Sequence, residues 1–242
     1  MKIIPLKEGN YSVNKQKEFR LLHTVADPTG ELKMAVQPFL VITDKDYILL
    51  DTGLAGQVNG KPLIHECLSQ AGVAPEQITK VLISHLHKDH IEGIGEFDGK
   101  TLKPHFPNAK VYLQQREYEF ALEQTNNLSY NTALIAQIPT LKVAWLNADK
   151  GQIGDDIFFE VTGGHSLFHQ VFWIKNQTQV AFYGADNLPQ QYYLKHQVAY
   201  KSNTDGKRAL ELRQRWQKSG STEHWTILLY HDMEQPLIHL GA

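Results

Sequence analysis

Ser84-His85-Leu86-His87-Lys88-Asp89-His90 follows the apolar run Lys80-Val81-Leu82-Ile83 and leads into Ile91-Glu92-Gly93-Ile94-Gly95. Three imidazoles and a carboxylate therefore fall where a buried strand gives way to a loop. In extended backbone, residues i and i+2 project to the same side, so His85 and His87 converge on one point. The chain then turns, and Asp89 with His90 faces a second point a few ångströms away, as a two-metal hydrolytic site requires. The bland alternative is a solvated histidine-rich loop. A lone HxH is usually that; an HxHxDH directly after a β-branched apolar run is much rarer by chance and reads as metal binding.

The rest of the composition narrows what such a site serves. The chain has 242 residues, 42% hydrophobic and 21% charged, enough to bury a large core as one domain of the bigger kind or two small ones. The formal net charge is −2, with no long basic run, so no nucleic-acid or membrane partner is expected and a small-molecule substrate is. Oligomeric state is not legible. Cys67 is the sole cysteine, which excludes an intrachain disulfide and leaves histidines and carboxylates as metal ligands. The run Met1-Lys2-Ile3-Ile4-Pro5-Leu6-Lys7 is too short for a signal peptide and no later stretch approaches a membrane span, so the expected compartment is the cytoplasm.

Around the histidine stretch, strands and helices alternate. Val36 to Thr43 and Tyr47 to Leu50 read as strands of a hairpin about Asp44-Lys45-Asp46. Pro62 to Gln70 reads as a helix with Leu63, Ile64, Cys67 and Leu68 on one face. The second strand ends at Asp51-Thr52-Gly53, either a plain turn or a carboxylate that fixes a ligand imidazole. Phe97 to Pro107 reads as loop, Lys110 to Leu113 as a strand, and Arg116 to Gln124 and Asn131 to Ile138 as short helices. The aromatics there, including Tyr118, Phe120 and Tyr130, are satellite core or a lid over substrate. Strands return at Leu141–Leu146, Ile157–Val161, Gln170–Ile174 and Gln179–Tyr183, and Asp205 to Lys218 reads as a helix. His165, Asp186 and His231 each follow such an apolar run. Any one alone is bland; strand exits from one sheet system can meet at one edge.

The set His85, His87, Asp89, His90, His165, Asp186 and His231, with Asp51-Thr52-Gly53 upstream, resembles the metallo-β-lactamase-fold hydrolase superfamily along nearly the whole chain. The resemblance implies a single domain over residues 1–242 with an α/β fold of the four-layer αββα sandwich type and a dinuclear site along one edge. It implies His85, His87 and His165 as ligands of the first metal, Asp89, His90 and His231 of the second, and Asp186 as the bridge. His169 would be a supporting histidine without a metal bond. The spacing of His165, Asp186 and His231 resembles the N-acyl homoserine lactonase-like branch. Because the chain continues only to Ala242, no C-terminal helical domain of the glyoxalase II type is expected. One position departs: where those lactonases carry a tyrosine three residues after the bridging aspartate, this chain has Pro189, and Tyr192 or Tyr193 is the candidate to serve substrate instead.

Two divalent cations, two ionised aspartates and a bridging hydroxide leave a site of about +1, suited to a transition state that gains negative charge. Asp89 is placed to pass a proton to the leaving group. Zinc suits the ligand set, and manganese, iron or cobalt fit it as well. The expected activity is hydrolysis of a lactone, ester or related carbonyl bond. The alternatives are phosphoester cleavage, organophosphate triesters included, or a sensor of the same fold that binds metal without turnover.

Overall fold

The computed structural model describes residues 1–23, 31–196, 198–201 and 203–241. Two six-stranded sheets organise it, each built from strands in chain order. The first contains β1 (Lys2–Pro5), β2 (Phe39–Ile42), β3 (Tyr47–Leu50), β4 (Lys80–Leu82), β5 (Lys110–Gln114) and β6 (Val143–Leu146). Its first two pairings are antiparallel and the rest parallel, because helical crossovers replace hairpins after β3. The second contains β7 (Lys150–Ile153), β8 (Ile157–Val161), β9 (Gln170–Lys175), β10 (Val180–Tyr183), β11 (Trp225–Leu228) and β12 (Leu237–His239), with only β10 and β11 parallel.

Strand alternation sorts the side chains into three cores. Phe39, Val41, Ile48, Leu50 and Leu82 face Phe159, Phe172, Ile174, Ala181 and Tyr183 between the sheets. On the outer face of the first sheet, Leu40, Leu49 and Val81 meet Ile64, Cys67 and Leu68 of α1 (Leu63–Gln70). On the outer face of the second, Val171, Phe182 and Ile227 meet Leu212 and Trp216. The latter two belong to the long helix Gly206–Glu223, whose Asp205 cap accepts the Arg208 N–H at 2.9 Å and whose Ala209, Leu212, Arg213, Trp216 and Gly220 form the buried stripe. Helix, sheet, sheet and helix stack in that order, the αββα sandwich. No helix among the described residues is long and apolar enough to cross a membrane.

Several boundaries differ from expectation. The run from Val36 to Thr43 breaks at Gln37-Pro38: Leu32–Val36 pairs with Gly9–Val13, which also pairs with Phe19–Leu21, while β2 joins the main sheet. Proline has no N–H to donate, so the chain changes sheets there. The expected loop 97–107 holds part of a short hairpin, Gly95–Phe97 with Leu102–Pro104, closed by Asp98 accepting the N–H groups of Lys100 and Thr101. The helix expected over Asn131 to Ile138 is one turn, Thr132–Ile135, and the polar edge strand β7 carries no hydrophobic alternation that would announce it.

Candidate metal centre

The exits of β4, β8, β10 and β11 meet at one edge of the sandwich and bring all seven expected ligand residues together. His85 Nε2 and His165 Nε2 each lie 3.0 Å from His87 Nδ1, and Asp186 Oδ2 lies 3.2 Å from His165 Nε2. These four donors form one group within 4.8 Å of one another. Asp89, on the single-turn helix α2 (Lys88–Ile91), joins His90 and His231 in a second. There His90 Nε2 and His231 Nε2 lie 3.1 and 3.0 Å from Asp186 Oδ1, and 3.7 and 3.5 Å from Asp89 Oδ2. Asp186 thus gives one oxygen to each group.

Four of the five imidazoles are oriented through the other nitrogen, which decides which lone pair faces the centre. His90 Nδ1 donates to Asp51 at 2.7 Å, His165 Nδ1 to Asn203 Oδ1 at 3.0 Å, and His231 Nδ1 to the Ala35 carbonyl at 2.7 Å. His85 Nδ1 lies 3.0 Å from the Ser84 hydroxyl. Asp51 unites the two readings of its segment: its φ of 54° makes the turn, while its carboxylate also accepts from Ser84 N–H, Ser84 Oγ and Tyr183 OH at 2.6–2.7 Å. With those donors in place it anchors the site and is not left free to join it.

Burial pushes His85 and His87 well below the usual histidine range, and His165 down as well. Burial also opposes charge on His90 and His231, yet Asp186 and Asp89 lift both above it. The same contacts act in reverse on Asp186: burial would raise it, but His231, His90 and His165 hold it well below the carboxylate range. His90 Nε2, His231 Nε2 and Asp186 Oδ1 are buried, and apart from their own 3.0–3.1 Å approach they have no polar partner closer than Asp89 among the described residues. Three orphaned polar atoms aimed at one point fit a divalent cation, and two imidazole-carboxylate groups sharing one aspartate fit a pair.

His169 is buried beside His85, ring centroids 5.1 Å apart, with Nδ1 3.1 Å from the Asn187 amide; it belongs to neither donor group. A cavity of about 370 Å³ opens over the centre, walled by Phe19, Met34, Phe120, Tyr130, Tyr193 and Tyr200. Tyr130 packs edge-on against His87 and Phe120 lies beside it, so both serve core and cavity wall. The expectation for Tyr192 and Tyr193 is corrected for the first: Tyr193 lines the cavity, whereas Tyr192 is 53% exposed and stacks on His196. Adjacent helical residues point about 100° apart, so one wall does not take both. Pro189 also lines the cavity, and its carbonyl accepts the His231 N–H at 2.9 Å.

Three supports escaped the sequence. Glu117, on α3 (Gln115–Leu122), is fully buried and accepts the Leu86 N–H at 3.2 Å and the Ser166 hydroxyl at 3.1 Å, tying the two histidine loops together. Burial pushes its carboxyl up to about 7. Asn203 and Tyr183 reach the site from chain segments far from His165 and Asp51, the residues they contact. Only the histidine and aspartate types themselves carried a signal, not these partners.

The profile of the Metallo-beta-lactamase superfamily matches residues 34–190. An N-acyl homoserine lactonase of Azorhizobium caulinodans, AttM, is 29% identical over 178 residues, 60% of this chain and 62% of that protein. The chain thus matches under two thirds of the length of such relatives. A probable metal-dependent hydrolase from Staphylococcus aureus shares the fold with a TM-score of 0.77 at 17% identity, over 99% of this chain and 96% of that one. The dizinc quorum-quenching lactonase AidC does so at 0.67 and 24% identity, over 85% and 75%.

Proposed function

The chain belongs to the metallo-β-lactamase superfamily, and from that premise we propose that it is a metal-dependent hydrolase cleaving a lactone, ester or related carbonyl bond of a small molecule. The observation that carries the reading is Asp186, whose two oxygens serve two separate donor groups. His85, His87 and His165 would hold one divalent cation, Asp89, His90 and His231 the other, with Asp186 between them. Zinc is the first candidate, since imidazole and carboxylate donors suit it. When bound, such a pair supplies a Lewis acid and lowers the pKa of water to about 7, giving a nucleophile without serine or cysteine.

The chain's own residues do the remainder. The hydrogen bonds from Asp51, Asn203 and Ala35 hold three imidazoles in the tautomer that leaves Nε2 free for a ligand. Asp89 lines the cavity as well as joining the second donor group, and its carboxylate is the one we assign to hand a proton to a leaving oxygen. Phe19, Phe120 and Tyr193 provide apolar surface for an acyl group and exclude water from it. The lactonase activity named for relatives supports the choice of bond.

The test is turnover of homoserine lactones, γ-lactones and p-nitrophenyl esters by zinc-loaded protein, with aryl phosphotriesters alongside. Carbonyl substrates turned over best support the proposal. Activity confined to phosphotriesters, or none with two metals bound, refutes it.

A further inference from the structure

Two lysines face the same cavity. Lys88 sits between His87 and Asp89 at the start of α2, half-buried, with its backbone N–H fixed on the Ser129 carbonyl at 2.9 Å. Lys17 also lines the cavity, from the exposed turn between strands Gly9–Val13 and Phe19–Leu21, with a φ of 58°. That left-handed conformation is ordinary for glycine or asparagine and unfavourable for lysine, so the turn itself does not ask for this side chain.

The nearby carboxylates are engaged elsewhere. Glu18, next to Lys17, accepts from Asn14 Nδ2 at 2.6 Å, and Glu92, one turn beyond Lys88, accepts from Asn131 Nδ2 at 3.0 Å. Glu92 still feels the charge of Lys88, and Glu123 borders a shallow groove outside Lys17. Neither ammonium has an ion-pair partner among the described residues. Among the described residues, the acidic ones lining the cavity are Asp89 and Asp186, both committed to the candidate donor groups. Asn127, on the same cavity wall, accepts the Ser129 N–H through Oδ1 at 3.1 Å, and its side-chain amide donors have no partner among the described residues. Two divalent cations held against two aspartates would leave the cavity floor cationic, and two lysines would deepen the potential. A neutral substrate leaves that charge unanswered.

Resting on the hydrolase reading above, we propose that the substrate carries an anionic group, carboxylate or phosphate, remote from the scissile bond, and that Lys17 and Lys88 bind it. The experiment separates this from the hydrolase reading by measuring binding and turnover independently. Calorimetric titration of zinc-loaded protein with hexanoate, adipate and 6-phosphonohexanoate compares ligands that share one carboxylate and differ in the second group. At least tenfold tighter binding of adipate or the phosphonate than of hexanoate is expected, weakening with added salt, and Lys88→Gln or Lys17→Asn should each reduce that ratio severalfold. Asparagine keeps the left-handed turn, so the second variant tests the charge and not the fold. In parallel, kcat/KM for p-nitrophenyl monoadipate should exceed that for p-nitrophenyl hexanoate. Equal binding of the three acids, or a preference untouched in both variants, overturns the proposal even if esters are hydrolysed. A lysine-dependent preference without hydrolysis of any ester upholds the anion site and refutes the hydrolase reading.

Discussion

Asp51 holds His90: the carboxylate accepts the imidazole Nδ1–H at 2.7 Å, with both side chains fully buried. Since the opposite nitrogen of His90 faces Asp186 and Asp89, this contact fixes which lone pair is offered to the second donor group. Asp51→Asn keeps the left-handed turn that asparagine tolerates but removes the charge. Metal affinity or activity should fall by about 10–100-fold, the usual cost of losing such a partner. Titration with a chromophoric chelator would read it, and an unchanged affinity would show that His90 needs no such partner.

Asp186 faces both groups, so its loss should act differently. Asp186→Ala removes the oxygen shared by His90 and His231 and the one beside His165. Elemental analysis should find about two zinc ions per parent chain and about one or fewer per variant, because no carboxylate then faces both groups to offset the repulsion of two close cations. Two ions in the variant would place the bridge elsewhere.

The candidate ligand residues were legible because their types are rare after apolar runs and because HxHxDH compresses four of them into six positions. The sandwich was legible from alternation: Phe39 and Val41 turn inward while Leu40 turns out, a pattern visible in the string of letters. Glu117 and Asn203 were not legible. They lie 31 and 38 residues from the chain positions they support, Leu86 and His165, and only tertiary packing brings them close. Tyr192 and Tyr193 are equivalent as letters, and the helix phase that separates them is set by contacts with Tyr200 and Arg213.

Glu117 predicts a pH signature. Its carboxyl stands at about 7 in the fold against an ordinary 4.5, owing to burial, so the folded chain holds a proton that the unfolded chain has released between those values. Stability from this group is therefore present below pH 4.5 and lost as pH rises to 7, by about 3 kcal/mol in all. Glu117→Gln cannot titrate. Denaturation of metal-free parent and variant from pH 4.5 to 8 should show a stability difference that moves in favour of the variant by that order; a constant difference would mean the carboxyl is ionised throughout.

Asn203→Ala tests the tie to His165. Its side chain accepts the Nδ1–H at 3.0 Å, and the adjoining Thr204 N–H bonds the His165 carbonyl at 3.1 Å, so the ring loses its side-chain anchor while the backbone clasp remains. Weaker binding of the first metal by about tenfold is expected. Asn203→Asp, which still accepts, should restore it; failure of both alike would point to the fold of the loop and not to the tautomer.

The last prediction separates the two tyrosines. Tyr193 is buried, stacked on Tyr200 at 5.0 Å and exposed to the cavity, so truncating it removes apolar wall; Tyr192 lies outside the cavity on His196. For a carbonyl substrate whose chain packs on that wall, each buried methylene contributes about 0.8 kcal/mol, near fourfold in kcat/KM, until the cavity is full. Tyr193→Ala should flatten the dependence of kcat/KM on acyl length from acetate to octanoate, and Tyr192→Ala should leave it as in the parent. The slope across a series cancels changes in metal content, which scale every ester alike. A parallel flattening by both variants would mean that the whole segment shifts, and a slope unaffected by Tyr193→Ala would place the acyl chain along Phe19 and Phe120 instead.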